Sequence, residues 1–184
     1  MATTSRPPEN ACAYVVGDNG LSQWNDTFAD AWIGLLQTQR QLTRELDGEL
    51  EAHHALGLSG LELLGRLAAA EDRRLRLSRL ATEAGLSLSR VSRLVDALEG
   101  RGLVARRPCP ADARAVNAEL TEAGLVLARD AQATHFAGVQ RRFFDRLAPD
   151  EVATLAAIFN RFVPGAAREC AADEESSPAA PRPG

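Results

Sequence analysis

Two short helical segments separated by a glycine-containing turn constrain this chain more than any other feature. They lie in residues 78–104, which read SRLATEAGLSLSRVSRLVDALEGRGLV. Ser78 and Ser87 are of the type that caps helix N-termini, and Gly85 and Gly102 suit the left-handed conformation that ends a helix. The pattern therefore predicts two helices joined by a tight turn, a helix-turn-helix.

The second helix of this motif has one apolar and one polar face. Its spacing predicts an inward face made of Leu88, Val91, Leu94, Val95 and Leu98. Its outward face carries Ser89, Arg90, Ser92, Arg93 and Asp96. Serine hydroxyls, including that of Ser87, suit phosphate or base contacts, and a guanidinium matches the edge of guanine. The alternative is that these side chains merely solvate an exposed helix.

Residues 103–107 and 114–120 predict two strands around a Pro-Cys-Pro turn. A hairpin directly after the second helix of a helix-turn-helix is a wing. We expect Arg106 and Arg107, on the first strand, to flank a phosphate backbone. Alternation along the strand predicts that only one of them points fully outward.

The tip of this hairpin offers two further side chains for nucleic-acid binding. Arg114 can enter a narrow minor groove, and Asp112 is placed to hold its guanidinium by a charge-assisted bond. The alternative is a self-contained surface ion pair. Cys109 lies among these arginines, which favours its thiolate and predicts oxidation as a second kind of switch. The alternative is a tolerated turn residue, since a wing is mobile and screened by salt.

The charge distribution indicates a polyanionic partner. All 21 basic residues are arginines, and residues 73–114 hold ten of them against four acidic residues, a net charge of +6. The rest of the chain carries −10. A basic segment in an otherwise acidic chain is typical of nucleic-acid binding. A protein-interaction module without DNA contact would leave this segment unexplained.

Catalysis and membrane insertion find no support in the sequence. The three histidines form no metal-ligand or catalytic-triad pattern with the cysteines, and no glycine-rich phosphate loop occurs. We therefore expect no enzyme, no metal and no cofactor. No apolar run is long enough to span a bilayer, and residues 1–20 lack the pattern of a signal peptide. Three scattered cysteines favour a reducing cytoplasm.

Helical periodicity organises the rest of the chain around this lobe. Residues 22–53 predict one long helix whose apolar stripe exceeds what a small lobe can cover, which favours a partner chain. Ser59 and Glu62 form a capping box that predicts a helix to about residue 70. Further helices are predicted at about 122–146, capped by Thr121, and from Pro149 onward. The two terminal segments, 1–21 and 164–184, have the composition of flexible tails.

The order of these elements, together with the segments LVDALEGRGLVAR, PADAR and LTEAG, resembles the multiple antibiotic resistance regulator (MarR) family of bacterial winged-helix proteins. The resemblance covers roughly residues 22–163. One departure is Cys109, where the family's wing commonly has Asp. The implied fold is mainly α (α+β), with a winged helix-turn-helix lobe at about 59–120 and dimerisation helices at 22–53 and 122–163.

The resemblance also implies a function. We expect a homodimeric, cytoplasmic transcriptional regulator, a repressor, that binds a pseudo-palindromic operator in double-stranded DNA. Members of the family commonly bind small aromatic or phenolic anions where the dimerisation helices meet the DNA-binding lobe. The residues that could form such a ligand site here are Trp24, Phe28, Trp32 and Arg66, although aromatic residues at helical spacing are more often dimer core.

Overall fold

The structure, a computed structural model, describes residues 14–109 and 112–163, with backbone alone for Cys109 and residues 112–115. The elements follow in the order β1 (Tyr14–Val16), β2 (Ser22–Trp24), α1 (Asp26–His54), α2 (Leu58–Ala69), β3 (Arg74–Arg76), α3 (Leu77–Glu83), α4 (Leu88–Gly100), β4 (Val104–Cys109), β5 (Asp112–Leu120), α5 (Glu122–Arg142) and α6 (Pro149–Phe159). Of the predicted tails, 1–21 and 164–184, residues 1–13 and all of 164–184 lie outside the described residues. The chain divides into two compact units between Glu45 and Leu46, within α1.

The first unit contains a hairpin that the sequence analysis did not predict. Strands β1 and β2 are antiparallel, and Tyr14 lies opposite Trp24, with the two rings edge to face at 6.3 Å. The turn is local in origin, since Oδ1 of Asn19 accepts from the Leu21 amide and Gly20 takes a φ of 75°. As a result α1 begins at Asp26 rather than at residue 22.

The core of the second unit is built from leucine and valine. The side chains of Leu50, Leu63, Leu64, Leu67, Leu80, Val91 and Val95 are fully buried. They come from the end of α1 and from α2, α3 and α4, so these four helices share one core. Among the described residues, no polar or charged residue is buried with them.

The predicted winged helix-turn-helix is confirmed. Helices α3 and α4 are joined through Gly85, whose φ is +63°, and Ser87 caps α4 by accepting from the Arg90 amide at 3.3 Å. Strands β4 and β5 pair antiparallel as the wing, and β3 pairs with the other side of β5. The chain is mainly helical with small antiparallel sheets, as predicted.

Helix α5 is locked to the base of the wing through a glycine. Thr121 caps the helix by accepting from the Gly124 amide at 3.0 Å, and its hydroxyl contacts the carbonyl oxygen of Leu103 at 3.0 Å. A Cβ added to Gly124 would lie 2.0 Å from that same carbonyl oxygen. The helix can approach the wing this closely only because residue 124 has no side chain.

Other helix boundaries differ from the sequence expectations. The predicted capping box is wrong: α2 begins at Leu58, whose amide donates to Oδ1 of Asp47 on α1 at 2.7 Å. The N-cap prediction for Ser78 is also wrong, because α3 begins at Leu77 and its N-cap is Arg76, two residues before Ser78. Helix α5 ends at Arg142 rather than near 146. The two starts differ because a tertiary contact or an adjoining strand replaced the local cap.

Leu88 differs from the prediction most directly. It was expected on the buried face of α4, yet 52% of its surface is exposed. Leu88 is the first residue of the helix, and the apolar stripe that it continues is buried only from Val91 onward. The helical periodicity is as predicted, but the core does not extend to the first residue of α4.

Candidate nucleic-acid interface

The N-terminal turn of α4 presents a compact set of hydroxyl groups. Oγ of Ser87 accepts from the Arg90 amide and lies 3.2 Å from Oγ of Ser89. These two side chains are exposed, whereas Ser92, one turn later, is half-buried. The helix N-terminus carries the positive end of the helix dipole, which favours a nearby anion.

Arg90 and Arg93 stand on the exposed face of α4 without acidic partners. Nη2 of Arg90 donates to Oγ of Ser59 on α2 at 3.2 Å, and Nε of Arg93 donates to the carbonyl oxygen of Ser89 at 3.4 Å. Neither guanidinium pairs with a carboxylate among the residues that the structure describes. Both charges are therefore available to an external anion.

Several neighbouring arginines differ from these two because each has an acidic partner. Arg73 pairs with Glu122 at 2.7 Å, and Arg79 pairs with Glu83 at 2.6 Å. The hydrogen bond and the charge of Arg73 lower the pKa of Glu122, so this carboxylate stays ionised. Arg90 and Arg93 thus differ from these two neighbours in having no acidic partner among the described residues.

Arg106 is held against α4 by several bonds. Its Nη2 donates to the carbonyl oxygen of Ser92 at 3.0 Å, to Oγ of the same residue at 3.1 Å and to Oδ1 of Asp96. Its backbone amide donates to Glu99. Nε, which is buried, lies 3.4 Å from Oε2 of Glu99, an ion pair by distance without hydrogen-bond geometry. Arg106 of the wing thus binds the exposed face of α4.

Arg107, the next residue, points the other way. Its side chain is 57% exposed against 26% for Arg106, so the predicted alternation is confirmed. Nε of Arg107 lies 3.4 Å from Oε2 of Glu119, an oxygen that also pairs with Arg74 at 2.8 Å. One carboxylate shared by two guanidinium groups leaves net positive charge on this part of the sheet.

The tip of the wing can be placed only by its backbone. Asp112 begins β5 and Arg114 follows two residues later, but their side chains, like that of Cys109, lie outside the described part of the structure. The predicted bond between Asp112 and Arg114 and the predicted reactivity of Cys109 stay predictions.

Sequence reasoning missed one contact that fixes the far end of α4. Arg101 follows the helix directly and donates from Nη1 to the carbonyl oxygen of Ala55 and from Nη2 to that of His54 at 2.9 Å. These carbonyls end α1, where acceptors lack helical partners. No local sequence signal connects residues 46 positions apart, and this contact needs the tertiary structure.

The residues proposed for a ligand site fall in the two units. In the first unit Trp24, Phe28 and Trp32 are 48%, 44% and 50% exposed. In the second unit Arg66, on α2, donates from Nε and Nη2 to Oε1 of Glu62 at 3.2 and 3.0 Å. Arg66 is therefore already paired within its own helix, and its role toward a ligand stays a prediction.

The described residues of the chain hold no cluster of three or more His, Cys, Asp or Glu side chains that could bind a metal ion. No helix within them has the length and apolar character needed to cross a membrane.

A helix-turn-helix followed by a β-wing, with unpaired arginines on its second helix, defines a winged-helix DNA-binding protein. A model of the MarR family matches residues 61–116. The chain is similar to the Streptomyces coelicolor regulator Sco3205, a MarR family transcriptional regulator solved in complex with DNA. The two are 31% identical with a TM-score of 0.70, over 78% of this chain and 93% of that one.

A second regulator from Streptomyces coelicolor, AbsC, is 34% identical with a TM-score of 0.68, over 82% of this chain and 99% of that one. The chain therefore belongs to the MarR family of transcriptional regulators. This confirms the predicted class, a DNA-binding transcriptional regulator rather than an enzyme. MarR from E. coli, 22% identical with a TM-score of 0.61 over 72% of this chain and 95% of that one, shares the fold. No curated protein matched the chain.

Proposed function

We propose that this protein is a homodimeric repressor whose two α4 helices enter successive major grooves of a pseudo-palindromic operator. The observation that carries the proposal is the pair of exposed guanidinium groups on α4, Arg90 and Arg93, which have no acidic partner among the described residues. An unpaired guanidinium is the side chain that best matches guanine O6 and N7. The complex of Sco3205 with DNA supports the same use of the fold.

The remaining basic residues are assigned by their geometry. Arg107, exposed and sharing Glu119 with Arg74, contacts the phosphate backbone. Arg114, near the tip of the wing, enters the minor groove, with Asp112 as its partner. Arg106 has a different role from the one expected: held by Ser92 and by two carboxylates, it fixes the wing against α4.

The dimer is proposed from apolar surface that each unit leaves uncovered. In the first unit the exposed large side chains are Tyr14, Val15, Val16, Leu21, Trp24, Phe28, Trp32, Ile33 and Leu35. Toward the C-terminal end of the second unit they are Phe136, Phe144, Ile158, Phe159, Phe162 and Val163. So many exposed aromatic and aliphatic side chains exceed what a monomer normally leaves in water. A two-fold dimer would place the recognition helices about 10 base pairs apart.

Release from DNA is proposed to follow binding of a small lipophilic or phenolic acid. The candidate contacts for this acid are Trp24, Phe28 and Trp32 of the first unit and Arg66 of the second. Such a ligand lowers operator affinity only by its preference for the form of the protein that does not bind DNA. The alternative is release by oxidation of Cys109. A regulator of this kind works in the compartment that holds the chromosome, the bacterial cytoplasm.

The experiment that tests the proposed function is selection of duplexes from a random DNA pool, followed by mobility shift of the selected duplex over a salt series. We expect an inverted repeat and an affinity that falls steeply with salt. Failure to enrich any duplex would contradict the proposal. Adding a panel of phenolic acids, and in parallel peroxide to the protein and to a Cys109→Ser variant, separates the two modes of release. Tryptophan quenching should accompany loss of the complex only with the acids.

A further inference from the structure

Leu88 presents an apolar side chain at the end of the helix that we propose to enter the major groove. It is the first residue of α4, and 52% of its surface is exposed. Val91 and Val95, which continue the same stripe, are fully buried. The apolar stripe of α4 thus extends beyond the core at the N-terminal end of the helix. There Leu88 directly precedes Ser89 and Arg90 in the chain.

The polar groups around Leu88 are already engaged with one another. Oγ of Ser87 accepts from the Arg90 amide and lies 3.2 Å from Oγ of Ser89. In the chain, Leu88 thus lies between two serines whose hydroxyls make local hydrogen bonds. It is the one large apolar group in this turn, and nothing in the local hydrogen bonding requires a leucine there.

The chemistry of the major groove supplies one apolar partner for such a group. Of the four base pairs, only those containing thymine present a methyl group on that edge, and apolar side chains are the groups that recognise it. The unpaired charges of Arg90 and Arg93 on the same helix favour a polyanion over an apolar protein surface as the occupant.

We propose that Leu88 is a specificity-determining residue that selects thymine through its 5-methyl group. This inference rests on the proposed function, because it requires α4 to enter the major groove. It assigns to the N-terminal turn an apolar readout of A·T pairs, next to the readout of guanine by Arg90 or Arg93. The site would then require a thymine at a fixed position in each half-site.

The test uses the full-length protein and the duplex of highest affinity from the random-pool selection. Each thymine is replaced in turn by deoxyuridine, which keeps the base pairing and removes only the methyl group. We expect one thymine per half-site at which this replacement weakens wild-type binding about fourfold, the effect of about 0.8 kcal/mol for one buried methyl-sized group. The Leu88→Ala variant should bind the thymine and deoxyuridine duplexes equally.

Two variants serve as controls. Leu88→Met keeps an apolar side chain of similar size with good helix propensity and should keep the preference for thymine. Val126→Ala removes an equally exposed apolar side chain from α5 and should respond to deoxyuridine as the wild type does. Circular dichroism checks that each variant folds, which is expected because Leu88 lies outside the core.

The inference is overturned if deoxyuridine at every thymine position leaves wild-type affinity unchanged. It is also overturned if the replacement of thymine by deoxyuridine weakens binding by Leu88→Ala as much as it weakens binding by the wild type. Either result contradicts only the proposed role of Leu88, because sequence-selective binding by the protein would remain. A protein that enriches no duplex contradicts the proposed function itself, so the two failures are distinguishable.

Discussion

Arg106, on the first strand of the wing, donates from Nη2 to Oδ1 of Asp96 on helix α4 at 2.5 Å. The two residues join the two parts of the molecule that a winged helix places on DNA. Ser92 and Glu99 reinforce the contact from the preceding and following turns. An arginine that sequence reasoning assigned to the phosphate backbone thus holds α4, the helix that we propose to read bases, against the wing.

Replacing Arg106 and Arg107 separately distinguishes a positioning residue from a phosphate contact. Arg106→Ala removes charge-assisted bonds from a mostly covered side chain, and we expect a loss of about 1–2 kcal/mol in the free energy of unfolding. It should also weaken operator binding while leaving the slope of log affinity against log salt nearly unchanged. Arg107→Ala should leave stability close to wild type and reduce that slope by about one. Thermal unfolding measures the change in stability, and a salt titration of operator binding measures the change in slope. If Arg107→Ala lowers the stability and Arg106→Ala lowers the slope, the two roles are interchanged.

Alanine substitution of Arg90 and Arg93 tests the recognition helix directly. Whichever residue reads a base should cost about 1–3 kcal/mol in operator binding and relax specificity at one position. Arg79→Ala is the matched control, because Arg79 is also exposed but lies on α3 and pairs with Glu83. Mobility shift with the selected duplex measures the change. If the double variant binds like the wild type, the assignment of α4 to the major groove is wrong.

Gly124 is expected to be intolerant of any side chain. A Cβ there would meet the carbonyl oxygen of Leu103 at 2.0 Å, so Gly124→Ala must push α5 away from the wing. We expect a loss of about 1–3 kcal/mol or more in the free energy of unfolding. Gly65→Ala is the control: it lies within α2 with open space around it, and should gain about 0.5–1 kcal/mol. Urea denaturation of both variants measures the difference, and equal stabilities would contradict this packing.

His135 makes folding sensitive to mild acid. Burial lowers the pKa of its imidazole, and its buried Nδ1 has no hydrogen-bond partner among the described residues. The folded state therefore favours the neutral ring. Its contribution to stability is complete above the unfolded pKa, about 6.5, and is lost as the pH falls from there toward the lowered folded value.

Substituting His135 by leucine, which does not titrate, should flatten the dependence of unfolding free energy on pH between about 7 and 5. Denaturant titrations at several pH values make the comparison. Identical profiles for wild type and His135→Leu would show that another group governs the acid response.

Self-association can be tested on the exposed apolar surface of α6. Light scattering should report a dimer of the wild type at micromolar concentration. Phe159→Asp places a charge on one of the aromatic side chains left uncovered and should shift the equilibrium toward monomer. Arg79 is polar and lies far from α6 in the sequence, so the Arg79→Ala variant should remain dimeric. A stable wild-type monomer at this concentration is incompatible with the proposed two-site operator.

The sequence by itself determined the helix-turn-helix and the wing, because the signals for them act over a few residues. Ser87 and Thr121 cap their helices as predicted, and Gly85 and Gly102 take positive φ values of 63° and 70°. Alternation along β4 also separated an inward arginine from an outward one. Caps, turns and periodicity depend on neighbours within one or two turns, so they can be read locally.

Only the tertiary structure decided which of these residues face a partner. Periodicity placed Leu88 on the apolar stripe but could not show that the core ends before it. The partners of Arg106 on α4 lie seven to fourteen positions away, and Asp47 lies eleven positions from the Leu58 amide that it accepts from. Contacts of that separation arise when helices pack against one another, and their free energy depends on the whole core rather than on any local pattern.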